Sequence, residues 1–193
     1  LLMDADLDGR LDLLQTNGHL EDEIAQVDPS QTYEQGAQLF WNAGPSAPRS
    51  FVEVADEALG DLPRPIVGRG SAYADMDGDG DLDVVMTQIA GPPLLLRNDQ
   101  ATGHHWLRVK LEQDPPNPDA LGAWIELEAG GATQRRPVQP TRSYLSQVEL
   151  PVTFGLGTAA TIDRLEVTWP DGATQTVDAA ELGVDRELVV RRR

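Results

Sequence analysis

Asp4-Ala5-Asp6-Leu7-Asp8-Gly9-Arg10-Leu11-Asp12-Leu13-Leu14 returns 71 residues further on as Asp75-Met76-Asp77-Gly78-Asp79-Gly80-Asp81-Leu82-Asp83-Val84-Val85. Asp recurs at positions 1, 3, 5 and 9 of both stretches, Gly at position 6 and Leu at position 8. A second match follows each stretch in the same order, Leu39-Phe40-Trp41-Asn42 and then Leu95-Leu96-Arg97-Asn98. The repeat unit is therefore an acidic loop running into a short apolar segment, followed by a second short segment that ends in Asn. Strand, loop and strand at a fixed repeat is the pattern of propeller blades.

The acidic loops read as calcium sites. Calcium takes about six to eight hard oxygen ligands, and Asp at alternate positions turns three carboxylates toward one point. Asp4, Asp6 and Asp8 fill positions 1, 3 and 5 of the first loop, and Asp75, Asp77 and Asp79 those of the second. Gly9 and Gly80 permit the sharp turn. Position 7, Arg10 or Asp81, supplies a backbone carbonyl, and Asp12 and Asp83 complete each set at position 9. The expectation is about two bound Ca2+ ions. An EF-hand needs a bidentate Glu at position 12, where Gln15 and Met86 stand. A metal-free Asp- and Gly-rich turn is the competing reading, and duplication of the spacing argues against it. Magnesium suits an all-protein carboxylate cage less well than the larger, geometrically tolerant ion.

Outward from the loops, Leu11–Leu14, Val84–Met86 and Phe51–Val54 read as strands, and Glu21–Val27 and Ala55–Leu59 as helical segments of a turn or two. A composition shift near Gln100 divides the chain into residues 1–100, the repeats, and 101–193, a second domain. There, Trp106–Glu112, Ala123–Glu128, Gln134–Val138, Leu165–Trp169 and Glu187–Val190 alternate apolar and polar residues, the mark of half-buried antiparallel sheet. Gly130-Gly131 suits a hairpin, Pro170-Asp171-Gly172 a turn, and Gly155-Leu156-Gly157 a tight turn between strands. The fold class is all-β: about two incomplete propeller blades followed by a small antiparallel β-sandwich.

Composition narrows the partners. The chain carries 32 acidic and 15 basic residues, a formal net charge of −17. Such a balance argues against nucleic acid and anionic membranes, which call for basic patches, and the only basic run is Arg191–Arg193. Cysteine is absent, which excludes disulfides and thiolate metal sites. The longest apolar runs are far short of the roughly 20 residues of a transmembrane helix. The chain opens abruptly against an Asp loop and reads as the C-terminal part of something longer.

The remaining chemistry is sparse. No Ser lies in G-x-S-x-G, and His19, His104 and His105 lack zinc-ligand spacing, so they read as surface or packing residues. Trp41, Trp106, Trp124, Trp169, Tyr73 and Tyr144 offer a sugar-stacking platform, but their place in strands and repeats favours burial.

The loops resemble the integrin-type FG-GAP, or VCBS, repeat, whose calcium loop runs D-x-D-x-D-G-x-x-D into a propeller strand. Asn117–Ala123, Tyr144-Leu145-Ser146-Gln147, Phe154–Gly157, Ile162-Asp163 and Val167–Gly172 resemble the ASPIC/UnbV domain. The order is that of the C-terminus of the cartilage acidic protein family and its bacterial relatives. The resemblance implies a propeller of about seven blades, of which this chain supplies about two, so that a ring is completed by further chain or by a partner. It also implies a secreted, periplasmic or cell-surface location. The resulting expectation is a non-enzymatic calcium-binding module that recognises a protein or scaffolds a larger assembly. The alternatives are polysaccharide binding through the aromatics, or an accessory role in an enzyme or electron-transfer complex.

Overall fold

A computed structural model describes every residue from Leu1 to Arg193. The chain is almost wholly β-structure. Its only α-helix is one turn, Ile24–Val27, with no buried residue, and Asp56–Ala58 forms a 3-10 turn. Both lie where helical segments are expected, cut short because neither carries an apolar face to bury.

Strands β1 (Leu2–Met3), β2 (Asp12–Gln15), β3 (Gln38–Asn42) and β4 (Phe51–Glu53) form one antiparallel sheet in that order. Strands β5 (Gly68–Ala74), β6 (Asp83–Gln88) and β7 (Leu94–Leu96) form a second. Both sheets are open. They share a core of seven buried side chains, among them Met3, Leu14, Ile66, Leu82, Val84 and Met86. An open groove of about 750 Å³ runs along them, lined by Leu39, Trp41, Leu62, Leu82 and Leu95.

The remaining strands build a two-layer sandwich. They are β8 (His105–Glu112), β9 (Trp124–Ala129), β10 (Ala132–Pro137), β11 (Thr141–Ser143), β12 (Ser146–Gln147), β13 (Val152–Gly157), β14 (Arg164–Thr168), β15 (Thr174–Thr176) and β16 (Arg186–Arg191). One layer runs β10-β9-β14-β15 and the other β13-β8-β16, with β11 and β12 a separate ribbon. Alternation places Leu107, Val109 and Leu111 of β8, Ile125 and Leu127 of β9, and Leu165 and Val167 of β14 in one core of eighteen buried residues. Each such side chain, fully buried, contributes about 1.5–3 kcal/mol. Gly130 and Gly131, both at positive φ, close the β9–β10 hairpin, and Gly172 at φ 88° sits in the β14–β15 turn.

Two sequence expectations are corrected. The sandwich is not purely antiparallel: β16 pairs with β8 in parallel, Leu188 beside Val109 and Val190 beside Leu111. The long return from β15 to β16 crosses between the layers and delivers the strand in the same direction as β8, as a crossover connection allows. Gly155-Leu156-Gly157 is no tight turn either. It is the end of strand β13, with an irregularity between Gly155 and Gly157.

Candidate metal centre

Each acidic loop is the connection of a β-hairpin. Met3 pairs with Asp12 across the first, and Ala74 with Asp83 across the second, so both loops leave and re-enter their sheets at equivalent points. Inside, they repeat the same hydrogen bonds. Asp4 Oδ2 accepts from Gly9 N at 3.0 Å and Asp75 Oδ2 from Gly80 N at 3.2 Å. Asp8 Oδ1 accepts from Arg10 N at 2.8 Å, and Asp79 Oδ1 from Asp81 N at 3.0 Å. The backbone thereby wraps around the carboxylates at positions 1, 3 and 5. Asp4, Asp6 and Asp8 bring one oxygen each within 4.8 Å of one another, and so do Asp75, Asp77 and Asp79.

The Asp at position 9 stands apart from these clusters. Asp12 Oδ2 accepts from Ala5 N at 2.9 Å and its Oδ1 from Asn42 N at 2.8 Å. Asp83 repeats both bonds with Met76 N and Asn98 N, each at 2.9 Å. With each oxygen accepting a backbone amide and the side chains buried, Asp12 and Asp83 fasten the loop to its strands, and each oxygen keeps a second lone pair. The Asn side chains are used as well: Asn42 Nδ2 donates to Leu11 O at 3.0 Å and Asn98 Nδ2 to Ala5 O at 2.9 Å, while their Oδ1 atoms accept from Gly44 N and Gln100 N, which ties the Asn of the second repeat signature to the acidic loops. At position 7, the Arg10 side chain turns back to pair with Asp8 and donates to Asn42 O at 2.7 Å, and Asp81 accepts from Gln100 Nε2 at 2.6 Å.

The two clusters differ in enclosure. Asp4 is 2% exposed, and its Oδ1 has no hydrogen-bond partner. In the second loop the corresponding Asp75 Oδ1 accepts from Gly78 N at 2.8 Å, and Oδ2 pairs with Arg108 Nη1 at 3.0 Å. Burial, and then the nearby Asp8 charge, push Asp4 up to about 7. Burial likewise lifts Asp12 and Asp81 to about 6. Clustered, partly desolvated carboxylate oxygens of this kind are the ligand type that hard cations take.

The sandwich domain meets both loops. Gly155 N donates to Asp4 Oδ2 at 3.2 Å, Gly157 N to Leu7 O at 2.9 Å, and Arg136 Nη2 to Gly9 O at 3.0 Å. At the second loop, Arg108 of β8 lies between Asp75, Glu149 and Glu187, and Gly80 packs flat against the Trp106 ring. Arg108, Arg136 and Gly155 are absent from the sequence-derived site. The only local signal for any of them is a glycine within an apolar strand, which marks close approach of another backbone.

The histidines and aromatics distribute unevenly. His104 Nδ1 contacts Asp6 O at 2.7 Å and His105 Nδ1 contacts Asp185 Oδ2 at 2.7 Å, roles in packing and pairing. Trp169 is buried as expected. Trp41, Trp124 and Tyr144 are not, being 38%, 39% and 67% exposed. Trp41 turns outward to donate from Nε1 to Asp6 Oδ2, and Trp124 lies on the outer face of β9 under the Arg135 guanidinium, 4.5 Å from its ring centre.

Residues 113–193 match the family model described as ASPIC and UnbV. The chain is 34% identical over 167 residues to cartilage acidic protein 1 of Xenopus tropicalis, covering 77% of this chain and 25% of that protein. The human protein of the same name is 32% identical over 132 residues, which cover 65% of this chain and 20% of that protein. The chain thus spans about a quarter or less of the length of the curated relatives it matches. No helix is long and apolar enough to cross a membrane.

Proposed function

We propose that this chain, whose residues 113–193 belong to the ASPIC and UnbV family and which resembles part of cartilage acidic protein 1, is a non-enzymatic, calcium-stabilised module for recognition or scaffolding outside the cell. One observation carries the calcium reading: two hairpin loops 71 residues apart hold the same triad of carboxylates in the same hydrogen-bonded frame. The cation would be held by Asp4, Asp6 and Asp8 and by Asp75, Asp77 and Asp79, and its charge would offset their mutual repulsion. Its role is structural, fixing each hairpin loop between its strands. The four- and three-stranded sheets read as successive blades of a propeller, and the acidic surface favours a basic partner over nucleic acid. Calorimetric titration of the metal-free chain with calcium should give about two sites. Absence of both calcium-dependent heat and a thermal shift would overturn the reading.

A second reading, polysaccharide binding, is favoured by the exposure of Trp124 and Tyr144, aromatic faces of the kind that stack on sugars. Saturable binding on a glycan array that Trp124→Ala abolishes would establish it, and a blank array would leave the protein-recognition reading standing.

A further inference from the structure

Strand β13 is the edge of its layer, and the first acidic loop covers that edge. Two of its amides, Gly155 N and Gly157 N, leave the sandwich to bond Asp4 Oδ2 and Leu7 O. The approach is close: a Cβ on Gly155 would overlap both the Asp4 carboxylate and the Leu7 backbone, so only glycine admits the loop here. Asp4 is thus shared between domains, with Oδ2 taking one amide from its own loop and one from the sandwich. Its Oδ1 is buried and unpartnered, and Asp4 is one of the three clustered carboxylates, with Asp6 and Asp8. The second loop lacks this deficit, because Arg108 and Gly78 satisfy Asp75.

We propose that calcium at the Asp4–Asp8 loop and the docking of the sandwich domain onto the N-terminal sheets are one linked equilibrium, with Gly155, Gly157 and Arg136 as positioning residues of the site. The inference rests on the calcium reading above. In the docked state without a cation, a buried carboxylate oxygen has no partner, and undocking returns it to water. A cation satisfies that oxygen in place, so ion and domain each favour the arrangement the other requires. The sandwich domain contributes no carboxylate to the cluster, yet it senses the ion through two strand amides.

Hydrogen exchange on the full chain, compared in calcium and in chelator, tests this. The expected result is slowing of at least about tenfold at the Gly155 and Gly157 amides in calcium, within a segment, Val152–Gly157, that has no acidic residue. Asp8→Asn, which removes a ligand without touching the sandwich, should abolish that slowing. Slowing in the loop peptides alone, with Val152–Gly157 unchanged, overturns the linkage and leaves calcium binding intact. No slowing anywhere, with no calorimetric heat, overturns the calcium reading and the linkage with it.

Discussion

Asp83 holds the frame of its loop by accepting two backbone amides. Asp83→Asn replaces one acceptor by a donor that faces either the Met76 or the Asn98 amide, leaving a buried N–H without a partner. The expected cost is about 1–3 kcal/mol in denaturant melts, in calcium and in chelator alike. Asp79→Asn, at the rim of the cluster, should instead remove one calorimetric calcium site and change chelator stability little. Asp4 shares the pH dependence of the metal-free chain with Asp12, Asp81 and Glu149, all lifted by burial. Its folded pKa of about 7 lies above its ordinary 3.8, so the fold binds the extra proton between those values. Its stabilising contribution is then complete below about 3.8 and is lost as pH rises through about 7. In chelator the melting temperature should fall between about pH 4 and pH 7, and saturating calcium should flatten that fall.

At the scale of the element, β13 performs two tasks on its two edges and faces. Phe154 is wholly buried in the sandwich core, while its neighbour Gly155 admits the acidic loop. Phe154→Ala should cost about 3–5 kcal/mol by urea unfolding, the usual price of emptying an aromatic site. At the second loop, Gly80 combines φ 97° with contact against Trp106. Gly80→Ala strains the backbone and displaces the ring, and should destabilise by at least about 1–3 kcal/mol with a visible change in tryptophan fluorescence. The hairpins at Gly130-Gly131 and Asp171-Gly172 and the inward faces of β8, β9 and β14 are legible in the sequence, because turn chemistry and alternation act within a few residues. Strands β5 and β13 carry glycines instead of a clean alternation, and those glycines answer to partners distant in the chain: Gly70 to Thr87 and Ser146, and Gly155 to Asp4.

Across the whole molecule, cohesion is unequal. Eighteen buried residues tie the sandwich together and seven tie the two N-terminal sheets. Residues 104–193 alone should therefore unfold cooperatively by circular dichroism, whereas residues 1–100 alone should lack a sharp transition, since the sheets would lose the cover of β13 and the Arg108 pairing. The acidic repeat, the all-β class, the shift near Gln100 and the ASPIC and UnbV motifs are determined by the sequence alone, because each is written in local spacing and local turn chemistry. The tertiary structure decided which carboxylates cluster and which fasten the loop. It also decided the parallel β8–β16 pairing and the contact of Gly155 with Asp4, 151 residues apart. These outcomes depend on which amides reach which carboxylates once two separate cores have formed, and residue spacing carries no record of that.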